Sequence, residues 1–143
     1  KDNNTVKEFT EKVKIQMPFI NYVPVITMSA LTGKRTVEVL KLVKSLNEEY
    51  NKKIGTGVLN QVLSDIIAQN PVPTRKGRTV KINYMTQIST APPKFVFFVN
   101  NPELVHFSYK RYIEKKLREY FGFEGCPIEM IFNKKSENVY KWN

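Results

Sequence analysis

Residues 81–135 carry the pattern that decides the fold, and they read KINYMTQISTAPPKFVFFVNNPELVHFSYKRYIEKKLREYFGFEGCPIEMIFNKK. Residues 80–88 and 95–99 are rich in β-branched and aromatic side chains, and Ser-Thr-Ala-Pro-Pro separates them. Such runs, bounded by turn residues, are typical of strands. Residues 108–121 then repeat apolar side chains at helical spacing, and residues 128–132 form a third β-type run. The pattern predicts two strands, a helix and a third strand.

Two further helical segments complete this order. An apolar stripe over residues 56–69 predicts a helix before the first strand, capped by Thr56. Pro102 opens a short helical turn after the second strand, and Ser108 is expected to cap the helix that follows. From Thr56 onward the predicted order is therefore α-β-β-α-α-β. The fold class is α+β, with a three-stranded sheet backed by helices in the order of a type II KH-like fold.

The first half of the chain has a different pattern. Residues 5–17 and 36–53 read as amphipathic helices, the second of them capped by Thr36. Between them, the short apolar run Pro24–Met28 is flanked by Pro and Ser and predicts a buried strand. Gly55 and Gly57 break the second helix, so a domain boundary is expected there.

Together, residues 81–135 and the elements before them resemble the EngA (Der) family of bacterial GTPases, which carry two G domains in tandem followed by a KH-like domain. The resemblance implies that residues 1–54 are the C-terminal remnant of the second G domain, a partial P-loop-GTPase α/β unit (helix, strand, guanine loop, helix). Residues 55–143 would be the KH-like domain. The chain begins with Lys1 and Asp2 rather than an initiator Met, which agrees with a piece of a longer protein.

The guanine loop is the one nucleotide-binding element that the resemblance assigns to this chain. Ser29, Ala30 and Leu31 would present a backbone N–H to the guanine base from a tight turn between strand and helix. The residues themselves leave an ordinary β-turn-α connection equally open.

The elements that hold phosphate are missing from the sequence. A P-loop requires G-x-x-x-x-G-K-[ST], and around Gly33-Lys34 the first glycine and the final Ser or Thr are absent. Neither Asp-x-x-Gly nor Asn-Lys-x-Asp occurs. We therefore expect no catalytic residues and no GTP hydrolysis by this chain alone. GTP and Mg²⁺ are expected only for the complete parent GTPase, and no cofactor or metal site is predicted here.

The charge balance points to a polyanionic partner. The chain has a net charge of +10 and a pI near 9.7, and basic domains bind nucleic acid through phosphate neutralisation. Basic side chains concentrate in one loop and on the outer face of the helix over residues 108–121. The candidate RNA-contact residues are Arg75, Lys76, Arg78, Lys110, Arg111, Lys115 and Arg118.

One observation argues against ordinary KH-type RNA binding. KH domains grip the nucleic-acid backbone with a Gly-x-x-Gly loop between adjacent helices. Here that junction, residues 105–108, has no glycine. Gly122-Phe123-Glu124-Gly125 matches the letters, but it follows the second helix and is interpreted as a helix stop. His106, the only histidine, is expected to cap or pack at the junction.

The resemblance implies a part of a GTPase that acts in assembly of the large (50S) ribosomal subunit, with ribosomal RNA and the parent's first G domain as partners. Two alternatives stay open at this stage: a stand-alone KH-type RNA-binding module, and a purely protein–protein interaction domain. A cytoplasmic location is expected, because there is no signal peptide or apolar run long enough to span a membrane, and Cys126 is the only cysteine.

Overall fold

The computed structural model describes residues 3–134, and all of its strands belong to one three-stranded sheet in the order β1-β2-β3. The helices are α1 (Asn3–Gln16), α2 (Thr36–Tyr50), α3 (Thr56–Gln69) and α4 (Phe107–Phe121). The strands are β1 (Ile82–Ser89), β2 (Lys94–Val99) and β3 (Glu129–Asn133), and 3-10 turns occupy Pro18–Ile20 and Pro102–Leu104. The predicted α+β class is confirmed, and each predicted strand of the sheet lies within two residues of its observed position.

The central strand, β2, organises the sheet. It pairs antiparallel with β1 and parallel with β3, and Phe95–Val99 are all buried. A strand with neighbours on both sides has no free edge, and its backbone hydrogen bonds are used on both sides. Both faces of β2 are buried as well, and this is why the run predicted as a central strand contains no polar residue.

Helices α3 and α4 cover one face of this sheet. Alternate β2 residues, Phe95, Phe97 and Val99, point into the cluster that the two helices complete. The helical contributions to the buried cluster are Leu59, Val62, Leu63, Ile66, Tyr109, Ile113 and Leu117. These follow the i, i+3, i+4, i+7 spacing from which both helices were predicted.

The helix starts differ from the prediction. Helix α4 is capped by His106, whose Nδ1 accepts a hydrogen bond from the Ser108 N–H at 3.2 Å, so the expected cap at Ser108 is wrong and the expectation for His106 is confirmed. Thr36 and Thr56 are likewise the first helical residues rather than caps. Caps are set by the local backbone angles of the approach, which residue type alone does not determine.

The predicted buried strand over Pro24–Met28 is wrong. Within residues 3–134 this segment belongs to no strand, and Val25, Ile26 and Met28 are exposed. An extended apolar run becomes a buried strand only where another strand pairs with it and a second layer covers it. The only sheet among the described residues lies elsewhere.

Helix α2 is attached to residues 55–134 by a group of hydrogen bonds at the C-terminal end of α4. The Glu49 carboxylate accepts the Phe123 N–H at 2.6 Å. The Lys52 ammonium binds both Glu49 oxygens, at 2.6 and 2.7 Å, and the Phe121 carbonyl at 2.8 Å. The chain following α2 is held as well: Gln87 of β1 accepts the Ile54 N–H at 2.8 Å and donates to the Lys52 carbonyl at 2.8 Å. The two halves of the chain therefore share a hydrogen-bonded contact.

The loop after α4 forms the apolar part of the same contact. Gly125 donates its N–H to the Tyr22 carbonyl at 3.1 Å, and its φ is +69°. A Cβ at this position would lie 2.4 Å from Leu46 Cδ2 and 3.1 Å from Pro24 Cδ. The neighbouring Cys126 is buried, which raises the pKa of its thiol. Gly125 is thus required both for the left-handed backbone and for the close approach of α2.

We expect Gly125→Ala to lower the free energy of unfolding by about 1–3 kcal/mol, because left-handed strain adds to the cost of the shift that the Leu46 side chain must make. Gly57→Ala is the matched control. Gly57 has ordinary backbone angles and open space at its Cβ position, so the variant should be neutral or more stable by up to about 1 kcal/mol. Urea unfolding checks both, and equal stability of the two variants would contradict the proposed close packing at Gly125.

Amide hydrogen exchange should be faster over residues 5–50 than over residues 58–132. Within the described residues 4–54 no side chain is buried, and Leu40 on the predicted stripe of α2 is 70% exposed. Local opening there exposes little additional apolar surface, so it requires less free energy. Mass spectrometry of peptide fragments measures this, and equal protection of both halves would show that the first half has a complete core.

Candidate nucleic-acid interface

The sheet topology brings several basic segments to one end of the domain. Because β3 runs parallel to β2 and β1 runs antiparallel, β1 begins where β2 and β3 finish. The chain leaves β2 at this same end and enters α4 there. We call this region the basic end and define it by the side chains that it carries: Arg75, Lys76, Arg78, Lys81, Lys110, Arg111 and Lys134.

Asn100 ties the loop before β1 to the end of β2. Its side-chain amide donates to the Thr79 carbonyl at 2.8 Å, and its side-chain oxygen accepts the Lys81 N–H at 2.8 Å. Its own N–H donates to the Lys81 carbonyl at 3.2 Å. These bonds hold the chain at Thr79, directly after Arg78, and so fix the position at which the predicted loop ends.

The predicted basic loop is a two-residue hairpin. Arg75 and Arg78 exchange backbone hydrogen bonds at 3.1 and 2.8 Å. Lys76 and Gly77 between them both have positive φ, 50° and 68°, as a type I′ turn requires. All of these residues are exposed. The tight turn therefore holds three cationic side chains close together in solvent.

The start of α4 supplies the second basic segment. The Lys110 ammonium lies 4.8 Å from the ring centre of Phe132 in β3, and the Arg111 guanidinium lies 5.5 Å from the ring centre of Phe107. Both contacts are of cation–π type. They orient two cations at the end where β3 finishes, and Lys134 follows directly after β3.

Lys115 and Arg118 lie farther along α4. Lys115 is exposed about 6 Å beyond Arg111 along the helix axis. The Arg118 guanidinium is directed into the protein: it lies 4.0 Å from the Tyr22 ring centre, donates to the Phe123 carbonyl at 2.8 Å and contacts Glu114 at 3.1 Å. These contacts give Arg118 a structural part in the joint between the two halves of the chain.

Few acidic side chains offset the positive charge of the basic end. The ion pairs found among residues 3–134 join Lys52 to Glu49, Lys94 to Glu129, Lys116 to Glu119 and Arg118 to Glu114. None of them involves a basic-end residue. Two acidic side chains are close to this end in the sequence: Glu103, exposed on the 3-10 turn, and Glu114, one helical turn after Lys110 and paired with Arg118.

Tyr109 anchors α4 to the chain that leads into the basic hairpin. Its buried hydroxyl donates to the Asn70 carbonyl at 2.7 Å, at the end of α3. Burial, with a smaller contribution from the neighbouring Tyr112, raises the pKa of Tyr109 to about 12. The hydroxyl is thus a positioning group that must stay protonated.

The predicted guanine loop forms a hydrogen-bonded turn in the segment before α2. The Ser29 N–H donates to the Lys34 carbonyl at 3.1 Å, the Thr32 N–H donates to the Ser29 hydroxyl at 3.3 Å, and Leu31 is 97% exposed. A cavity of about 350 Å³ lies between this turn and α1. Its lining residues are Thr5, Val6, Phe9, Thr27, Met28, Ser29, Lys34 and Arg35.

No group of three or more His, Cys, Asp or Glu side chains in residues 3–134 is arranged to hold a metal ion. Over the same residues, no helix has both the length and the apolar composition needed to cross a membrane.

Sequence reasoning missed several residues of the basic end. Lys81 and Lys134 are evident as charged residues in the sequence. Only the strand directions show that the start of β1 and the end of β3, and therefore these two side chains, lie at the same end of the sheet. Asn100 is a turn-type residue directly after a strand, but its residue type does not reveal that it binds Thr79 and Lys81. Phe107 precedes the expected cap at Ser108, so the predicted helix did not include it.

The fold and this surface define a class: a small KH-like α+β domain with a basic end, joined to a helical segment. The junction before α4 is closed by the His106 cap and contains no Gly-x-x-Gly loop. Residues 53–133 match the family described as the C-terminal KH-domain-like region of EngA bacterial GTPase enzymes. The chain belongs to this family, which confirms the predicted KH-like fold.

Curated relatives extend the similarity to nearly the whole chain. It is 53% identical to GTPase Der of Fusobacterium nucleatum over 138 residues, which is 96% of this chain and 31% of that protein. Identity is 49% with GTPase Der of Caldanaerobacter subterraneus and 50% with GTPase Der of a Thermoanaerobacter species, with the same coverage. The chain thus spans about a third of the length of these relatives.

Tyr109→Phe should remove a pH dependence of stability. Since the folded-state pKa of about 12 exceeds the unfolded value near 10, the stabilisation is complete below about pH 10 and is lost as the pH rises towards 12. At neutral pH the variant should be less stable by about 1 kcal/mol for the lost hydrogen bond. Between about pH 9 and pH 11 the gap should narrow by about 1 kcal/mol. Urea unfolding of both proteins measures it, and a constant gap would contradict the assignment.

Proposed function

We propose that this chain is the C-terminal part of a GTPase that acts in assembly of the 50S ribosomal subunit, and that its basic end contacts ribosomal RNA. The observation that carries the RNA contact is the convergence of the hairpin Arg75–Arg78 and the start of α4 at one end of the sheet. Contacts from exposed Lys and Arg side chains fall mainly on phosphates, so binding of this kind depends on charge and shape more than on base sequence.

The wider role is supported by similarity to proteins called GTPase Der, of which this chain matches about a third. In this proposal the phosphate-binding elements, GTP and Mg²⁺ belong to the rest of such a protein, which works in the cytoplasm. The KH-like domain also contacts a G domain, including the first G domain of the parent. Residues 1–54 are the remnant of the second G domain, and Ser29, Ala30 and Leu31 contact the guanine base.

The proposed RNA surface is smaller than the predicted one. Arg75, Lys76, Arg78, Lys110 and Arg111 lie at the basic end, and Lys115 continues it along α4. Arg118 is left out of the proposed surface because its guanidinium is used by Tyr22, Phe123 and Glu114. A net charge of +6 for residues 54–143, with thirteen basic and seven acidic side chains, supports this location.

A second candidate function is protein binding, favoured by apolar exposure in the first half. Phe9, Ile15, Leu31 and Leu40 are exposed there, all outside the KH-like region. If the chain is only a protein–protein module, this surface carries the function and the charge of the basic end has no specific role.

Charge reversal separates these candidates. Lys110→Glu/Arg111→Glu/Lys115→Glu should weaken binding to 50S subunits and to a short rRNA hairpin. It should also flatten the dependence on salt between about 50 and 200 mM by about two or three phosphate contacts. The reason is that three cations at one surface are replaced by anions. Filter binding and sedimentation measure the two affinities.

The control is Lys7→Glu/Lys12→Glu/Lys41→Glu. It makes the same change in net charge on exposed positions of α1 and α2, so any general effect of charge is matched. Binding unaffected by the α4 variant, or equally weakened by both variants, would contradict the basic end as the RNA surface. Circular dichroism of both variants verifies that the fold is retained.

A further inference from the structure

Phe107 is an exposed aromatic side chain set among cations. Its ring is 66% exposed, compared with 42% for Tyr120, the next most exposed aromatic residue in the described region 55–134. A single exposed apolar side chain is ordinary and by itself indicates nothing. The significance of Phe107 comes from its position, as the first residue of α4 at the basic end.

The neighbours of Phe107 fix how the ring is presented. The Arg111 guanidinium lies one helical turn later, 5.5 Å from the ring centre, and Lys110 lies between them in sequence. On the other side, the His106 cap fixes the backbone from which Phe107 projects. A largely solvent-accessible ring therefore stands beside the Arg111 guanidinium, at the same end of the sheet as Lys110 and the hairpin Arg75–Arg78.

The other aromatic side chains near this end are already occupied. Phe132 stacks on Phe97 at 4.7 Å, and Tyr84 stacks on Phe98 at 4.6 Å. The hydroxyls of Tyr109 and Tyr112 are bonded to carbonyls of Asn70 and Ile66. Of the rings near the basic end, Phe107 is thus the one most open to an external planar group.

We propose that Phe107 stacks on the face of an unpaired RNA base, while Lys110, Arg111 and the hairpin Arg75–Arg78 contact the flanking phosphates. This inference rests on the proposed RNA binding and specifies its target as single-stranded RNA, such as a loop or a bulge. Stacking tolerates any base, because every base has a π-face, and aromatic residues beside cations are the usual means of binding single strands. In an A-form duplex the base faces are covered by their neighbours, so the ring of Phe107 has nothing to stack on.

The test uses the whole chain and an RNA oligonucleotide containing one 2-aminopurine, either single-stranded or annealed to its complement. Phe107→Leu keeps an apolar side chain and removes the ring, whereas Phe107→Tyr keeps the ring. Phe19→Leu is the matched control, because Phe19 is 71% exposed in the first half of the chain. Binding to wild type should quench the 2-aminopurine fluorescence of the single strand, as stacking does.

Phe107→Leu should weaken single-strand binding about tenfold and abolish the quench. Duplex binding and the salt dependence should be unchanged, because no charge is altered. Phe107→Tyr and Phe19→Leu should bind like wild type. Thermal unfolding should give the same midpoint for all of these variants, since the substituted rings are mostly in solvent.

The outcomes separate this inference from the function on which it rests. If Phe107→Leu binds single strands as tightly as wild type, while Lys110→Glu/Arg111→Glu/Lys115→Glu does not bind, the RNA surface is correct and base stacking on Phe107 is wrong. Equal weakening of duplex and single-strand binding by Phe107→Leu also contradicts stacking. If wild type binds neither RNA, both the proposed RNA binding and this inference fail.

Discussion

The central position of β2 is the constraint on which the rest of the structure depends. Phe95–Val99 are buried throughout, so the strand requires a neighbour on each side and a helical layer on one face. The antiparallel partner β1 precedes it through a short connection, whereas the parallel partner β3 can be reached only by a crossover. Helix α4 is that crossover, and its direction sends its first residues to the end where β2 and β3 finish.

The two ends of helix α4 consequently lie in two different regions of the molecule. Its N-terminal end carries Lys110 and Arg111 at the same end of the sheet as the hairpin Arg75–Arg78. Its C-terminal end, with the loop that follows, binds Glu49 and Lys52 of the first half. The loop after α4 therefore has a structural task, which explains why the glycines there do not act as a phosphate-gripping Gly-x-x-Gly. Gly122 ends the helix with a φ of 87°, as expected of a helix stop, and Gly125 makes room for Leu46.

The packing of the first half of the chain depends more on its contact with the loop after α4 than the packing of the KH-like half does. Among the described residues, buried side chains begin only at Leu59. The residues before α3 are therefore held at the edge of the core, by the polar contacts of Glu49 and Lys52 and by the partly buried Ile54, which packs against that core. The predicted G-domain strand fails for the same reason: within residues 3–134 no other strand pairs with Pro24–Met28. Apolar side chains are correspondingly exposed on α1 and α2, Phe9, Ile15, Val37, Leu40 and Val43 among them.

The sequence by itself determined the α+β class, the order of elements from α3 to β3, the buried central strand and the two basic segments. These follow from periodicity, turn residues and charge, all of which are local properties. Only the tertiary structure decided which charges share a surface, because that depends on strand direction and on the crossover. It separated Lys110 and Arg111, at the basic end, from Arg118, whose guanidinium lies on Tyr22, although the charge pattern predicted all three on the outer face of one helix. It also decided that His106 rather than Ser108 caps α4, since capping is set by backbone angles that distant packing imposes.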